Sequence, residues 1–167
     1  MTHVARINDR LSLVELAAWR GMLRVHSHLL RELDAEMTSR QGLTLRTYEV
    51  LLFLGDAPQK RMRMTELSRS VLLSASGVSR LVDRLVRDGY VRRERCALDG
   101  RGLFATLTAA GSRKLRDARS THLEGVRRLF LGHLNAADLM RLAACWERML
   151  PGAAEADPPL SERKARG

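Results

Sequence analysis

Residues Met64 to Leu107 read MTELSRSVLLSASGVSRLVDRLVRDGYVRRERCALDGRGLFATL, and this stretch decides the fold. Val78, Leu81, Val82 and Leu85 recur at three- and four-residue steps, which buries one face of a helix. That leaves Ser76, Ser79, Arg80, Asp83, Arg84 and Arg87 together on the other face. From Tyr90 to Arg95, and again from Leu103 to Leu107, the pattern alternates with period two. The intervening Ala97 to Gly102 supplies turn chemistry, so a hairpin is expected with Asp99, Gly100 and Arg101 near its tip. Helix, tight turn, helix and a basic hairpin together outline a winged helix-turn-helix. A helix face of small hydroxyls and arginines can enter a groove of DNA.

Charge gathers in the same stretch. The chain has 167 residues, 45% of them apolar, with a formal charge of +10 and a pI near 11.0. That length suffices for one compact domain, or for one protomer of a dimer with a helical extension. So basic a balance points to a polyanionic partner, either nucleic acid or an anionic membrane surface. Between Lys60 and Arg101 eleven basic residues stand against five acidic ones, so +6 of the +10 falls in a quarter of the sequence. The excess is local, as a binding footprint is, rather than spread over a solvated surface.

Cys96 and Cys145 lack metal-ligand spacing, so neither a disulfide framework nor a metal site is expected, and a reducing cytoplasm is the default. His26 and His28 point to different sides of a helix, and His122 and His133 lie far off, so metal binding would need a tertiary accident. The opening MTHVARINDR lacks the apolar core of a signal peptide. No apolar run approaches the roughly 18 residues of a membrane span, so no membrane partner is expected.

The flanks are helical. Ser12 and Glu15 have capping-box spacing, which starts a long helix expected to run to about Met37. Its apolar residues cover more than one stripe, as in a helix that packs on its own domain and on a second surface. Ser39 to Gly42 ends it, and Thr44 caps a second helix that stops before Pro58. The strip Lys60 to Met64 can form a small strand, after which Thr65 caps the first helix of the motif. Ser74 caps the second motif helix, and Gly89 ends it in the left-handed conformation. Thr108 starts a long helix to about Gly132, and Asn135 with Asp138 starts the last, which ends near Pro151.

The order of elements, with TEL and Val71 (Thr65 to Val71), SASGVSRLVDRL (Ser74 to Leu85), DGYV with Arg93, the pair Asp99 and Arg101, and Leu107, Thr108 and Gly111, resembles the MarR family of bacterial transcriptional regulators. The resemblance covers nearly all of residues 10 to 150. It implies a mainly α (α+β) fold, a winged helix-turn-helix whose N- and C-terminal helices form a dimerisation region. Residues 1–40 would then be the N-terminal dimerisation helix and 41–107 the DNA-binding module, with a recognition helix at about 74–88 and a wing at about 90–107. Residues 108–150 would be the C-terminal dimerisation helices, and 151–167 a flexible tail.

What the resemblance implies for function is a homodimer on the double-stranded DNA of a pseudo-palindromic operator. Ser74, Ser76 and Ser79 would meet phosphates or base edges, and Arg80 and Arg84 could pair with guanine. For Arg84 a phosphate contact, or an ion pair to Asp88, is the competing role. Asp99 would orient Arg101 in a narrow minor groove. Arg92, Arg93 and Arg95 alternate along a strand, so one or two of them, with Arg92 and Arg93 named first, should touch phosphates.

The family implies a small-molecule effector, often an aromatic or phenolic acid, between the dimer helices and the module. Trp19, Arg20, Arg24, His26 and Tyr48 are the candidates to line that cleft, against core packing or surface charge for each. An alternative input is oxidation of Cys96, beside Arg95. No cofactor is expected. An enzyme would need a nucleophile with its base or a phosphate loop, and SASGVS fits neither pattern. A basic helical module for membranes or proteins would spread its charge along one long face, whereas here it gathers on a short helix and a hairpin.

Overall fold

Five of the six α-helices among the described residues begin at a residue whose side chain takes up an amide that the helix cannot satisfy internally. The structure, a computed structural model, describes residues 10–71, 74–95 and 103–154. Helix α1 spans Leu13–Gln41, with the Ser12 hydroxyl accepting from the Glu15 amide and the Glu15 carboxylate accepting from the Ser12 amide at 2.7 Å. It runs four residues past the expected Met37 and stops where Gly42 turns left-handed at φ 63°, a conformation that favours glycine. Thr44 caps α2, Leu45–Asp56. A 3-10 turn at Pro58–Lys60 leads into β1, Arg61–Arg63.

Helix α3, Met64–Ser70, starts two residues earlier than a cap at Thr65 allows. The Arg63 amide donates to the Glu66 carboxylate at 3.3 Å, so Glu66 reaches back across the strand end and Thr65 lies inside the first turn. Ser74 caps α4, Ala75–Arg87, its hydroxyl accepting from the Gly77 amide at 3.2 Å. Gly89, at φ 75°, follows. Strands β2, Val91–Arg95, and β3, Leu103–Leu107, pair antiparallel, with Val91 opposite Leu107 and Arg95 opposite Leu103. β1 adds to the other side of β3, giving the order β1-β3-β2. Thr108 caps α5, Ala109–Leu129, and an Asn135–Asp138 capping box starts α6, Ala136–Met149.

The outcome is a mainly helical winged helix-turn-helix. Its core is enclosed by α2, α3, α4, the sheet and the first half of α5, with Leu51, Leu54, Leu67, Val78, Val82 and Leu85 fully buried. Where α5 crosses the start of β2, a side chain at Gly111 would collide with the Tyr90 carbonyl, so only glycine fits. The Thr108 hydroxyl donates to the Gly89 carbonyl at 2.8 Å and fastens the same crossing.

α1 meets α5 through polar contacts at its C-terminal end. The Glu36 carboxylate accepts from Arg40 at 3.0 Å and from Arg128 at 2.8 Å, and Arg40 also donates to Glu124 at 2.8 Å. The first twenty residues of α1 and all of α6 contain no buried residue. Leu13, Val14, Trp19, Leu23, Met140, Trp146 and Met149 stand exposed there. No helix among the described residues is long and apolar enough to cross a membrane.

Candidate nucleic-acid interface

α4 carries two faces of different chemistry. Val78, Val82 and Leu85 are wholly buried, as their three- and four-residue spacing requires. Ser76, Arg80, Asp83, Arg84 and Arg87 are exposed. The side chains of Arg80, Arg84 and Arg87 make no hydrogen bond or ion pair among the described residues, and the Arg84 guanidinium does not pair with the Asp88 carboxylate. Ser74 and Ser76 share a 3.2 Å hydrogen bond at the start of the helix. The helix therefore offers solvent three unneutralised guanidinium groups below a pair of hydroxyls.

The sheet arginines are in a different condition. The Arg92 Nε donates to Glu94 at 2.6 Å, and the Thr106 hydroxyl donates to the other Glu94 oxygen at 2.8 Å. The Thr106 hydroxyl first, then Arg92, holds the Glu94 carboxyl below its usual range. On the same outer face, the guanidinium groups of Arg61 and Arg63 lie 5.0 and 5.4 Å from the centre of the Phe104 ring, within cation–π range. Arg95 is exposed.

Arg93 points the other way, toward α4. Its Nη2 donates to the Ser79 hydroxyl at 3.0 Å and the Ser79 carbonyl at 3.3 Å, and lies 3.0 Å from an Asp83 oxygen. Ser79 is accordingly half-buried, not open like Ser76. Strand alternation sets Arg93 and Arg92 on opposite faces of the sheet, yet both were expected at phosphates; the partners of Arg93 came only with the fold. Beside this clamp is a depression of about 210 Å³ lined by Met64, Thr65, Ser68, Ser79, Arg93 and Leu103.

Asp99 and Arg101, expected at the wing tip, and Cys96 lie outside the described residues. The five cleft candidates are not gathered in this chain. Trp19, Arg20, Arg24 and His26 are exposed on the open half of α1, whereas Tyr48 is 3% exposed within the core. Tyr48 packs on His122 of α5, ring centres 5.0 Å apart. Burial raises the Tyr48 hydroxyl's pKa and lowers that of His122, whose Nδ1 is buried without a hydrogen-bond partner. Sequence periodicity gave no sign of this pair, since the two residues are far apart in the chain. Among the described residues no cluster of three or more His, Cys, Asp or Glu stands together.

Comparison with known proteins agrees with this geometry. The sequence model of the MarR family matches residues 41–102. AbsC, a MarR family transcriptional regulator from Streptomyces coelicolor, is 35% identical, with 84% of this chain and 94% of that one covered at a TM-score of 0.78. Sco3205, a MarR family transcriptional regulator from the same organism solved in complex with DNA, is 31% identical over 90% of this chain and 98% of that one, at a TM-score of 0.79. The HTH-type transcriptional repressor YetL of Bacillus subtilis (strain 168) is 29% identical over 86 residues, 52% of each chain. The chain spans less than two thirds of the length of the curated relatives it matches. With a solved relative above 30% identity covered almost end to end, and with a winged helix whose exposed face is a row of unpaired arginines, the chain belongs to the MarR family of DNA-binding transcriptional regulators, which are not enzymes.

Proposed function

We propose that the protein is a homodimeric repressor that binds a pseudo-palindromic operator and is released from it by a small aromatic or phenolic ligand. The observation that carries the DNA-binding mode is the contrast among arginines. Arg80, Arg84 and Arg87 are free on α4, while Arg92 is held by Glu94 and Arg93 by Asp83. A guanidinium with no acid beside it keeps its full attraction for phosphate and both forks for a guanine edge. In this reading α4 lies in the major groove, Ser74 and Ser76 meet phosphates, Arg80 and Arg84 reach bases, and Asp99 with Arg101 engages the minor groove.

The exposed apolar residues of α1 and α6 support the dimer, because so much open apolar surface is unusual on a monomer. Two copies would place two α4 helices on half-sites about one helical turn apart. Ligand release rests on the family resemblance and on the apolar walls of the depression beside α4, which suit an aromatic ring.

The test is selection of duplexes from a random pool by the full chain. Enrichment of an inverted repeat, bound with affinity that falls steeply with salt, is expected. Failure to enrich any sequence overturns the operator reading, and a panel of aromatic acids that leaves the selected duplex bound overturns ligand release.

A further inference from the structure

The clamp between β2 and α4 stands apart from the groove-facing residues. We infer that Arg93 is a positioning residue, which through Ser79 and Asp83 fixes the rotation of α4 about its own axis and so governs sequence discrimination. This rests on the reading that α4 enters the groove.

The sheet register puts Arg93 where it can do this and Arg92 where it cannot. Arg93 lies opposite Ala105, which is fully buried, and so on the inner face; Arg92 lies opposite Thr106 with the outer set. Ser79 and Asp83 are four residues apart and therefore neighbours on one strip of α4. A single contact from β2 would fix a distance and leave the helix free to roll. Here three contacts converge on the one Nη2 nitrogen, and because one of them is to the backbone carbonyl of Ser79 at 3.3 Å and another to Asp83 a turn further on, the whole strip is held against β2 and the roll is resisted.

The lever is short but sufficient. At 3.6 residues per turn, the strip bearing Ser79 and Asp83 is offset by roughly 75° from the middle of the face bearing Ser76, Arg80, Arg84 and Arg87. The clamp can thus hold the helix without occupying the groove. A roll of about 20° moves a side-chain atom roughly 6 Å from the axis by about 2 Å. Hydrogen bonds to base edges tolerate about 0.5 Å, whereas attraction to phosphates falls off gradually. Loosening the clamp therefore costs discrimination before it costs affinity.

The details argue against a phosphate contact by Arg93 itself. Its side chain is only 30% exposed, and its Nε is buried without a partner, a penalty accepted where geometry matters more than solvation. Its charge is already neutralised by Asp83 at 3.0 Å. Lysine at this position would keep the charge, but its shorter side chain ends in a tetrahedral ammonium that cannot take the place of Nη2 between Ser79 and Asp83.

The experiment measures the affinity of full-length variants for the selected duplex and for a scrambled duplex of equal length, over a salt series. Arg93→Lys should lower the ratio of the two affinities about tenfold, the worth of one good base pairing, with scrambled-duplex affinity and salt slope unchanged. Asp83→Asn and Arg93→Met should each lower the same ratio, and the double variant should be no worse than the worse single. Exchanging the charges, Asp83→Arg with Arg93→Asp, should recover part of it. The inference is overturned if Arg93→Lys matches the unaltered protein on both duplexes. It is equally overturned if Arg93→Met weakens both duplexes alike with a shallower salt slope while Asp83→Asn tightens them, which is the behaviour of a phosphate contact. Should Arg93→Met not fold, Arg93→Lys and Asp83→Asn decide alone. Selection that yields no duplex would instead sink the operator reading on which this rests.

Discussion

The winged module and the helices that flank it dispose of their apolar side chains in opposite ways. In the module, Leu51, Leu54, Leu67, Val82 and Leu85 reach zero exposure within one chain. In α6 and the first twenty residues of α1 nothing is buried, and Leu13 remains 85% and Met149 74% exposed. The first region, joined by Met37 of α1 and by Leu115 and Ala118 of α5, closes a core within one chain. The second carries the apolar content of a core without the second surface that would make it one. This division places the specificity of fold in the module, and the proposed dimer would take its surface from the outer helices.

The comparison can be broken most forcefully from inside the module. Replacing Leu67 by Ala should lower the unfolding free energy by about 3 kcal/mol, from lost transfer energy and the cavity left behind. Denaturant unfolding that shifts by less than about 1 kcal/mol would mean that the module core is less closed than its burial suggests. Charging the outer helices, with Trp19→Glu and Trp146→Glu together, should yield a folded monomer by light scattering and circular dichroism. Its affinity for the selected duplex should drop about a hundredfold, the advantage of engaging two half-sites at once. A dimer that survives both substitutions would show that the open apolar surface has another use.

A smaller loss is expected at the wing. Arg101→Ala should weaken duplex binding about tenfold with the dimer intact, and undiminished binding would remove the wing from the interface. The smallest effect concerns His122, where the module meets α5. Burial makes its imidazole harder to protonate when folded than when unfolded. As the pH falls below about 6.5, the unfolded chain takes up that proton first, so stability declines toward the lower folded pKa. Melting curves at pH 7.5 and pH 5.5 should show the decline, and His122→Phe should flatten it; an unaltered slope would mean that other groups carry the acid response.

Much of this was legible in the sequence because the signals are local. Ser12 with Glu15, Thr44, Ser74, Thr108 and Asn135 with Asp138 each act within three residues, and each caps a helix as expected. Thr65 misled because Glu66 serves Arg63, a contact that depends on where the strand ends. The clamp on Arg93 and the stacking of Tyr48 on His122 join residues from different elements, and no spacing rule reaches across a fold. The exposed strip of α4 was legible from periodicity; which of its neighbours were already neutralised was not.

The crossing at Gly111 bears on how distant parts of the molecule communicate. The Thr108 hydroxyl and the close approach at Gly111 pin the start of α5 to Gly89 and Tyr90, the turn between α4 and β2. α5 has 21 residues and so extends about 31 Å from that pin. Pivoting there, a tilt of about 5° displaces its far end by about 3 Å, and the converse holds. A shift of the outer helices that tilted α5 would therefore act on the turn between α4 and β2, through a joint too crowded to slip.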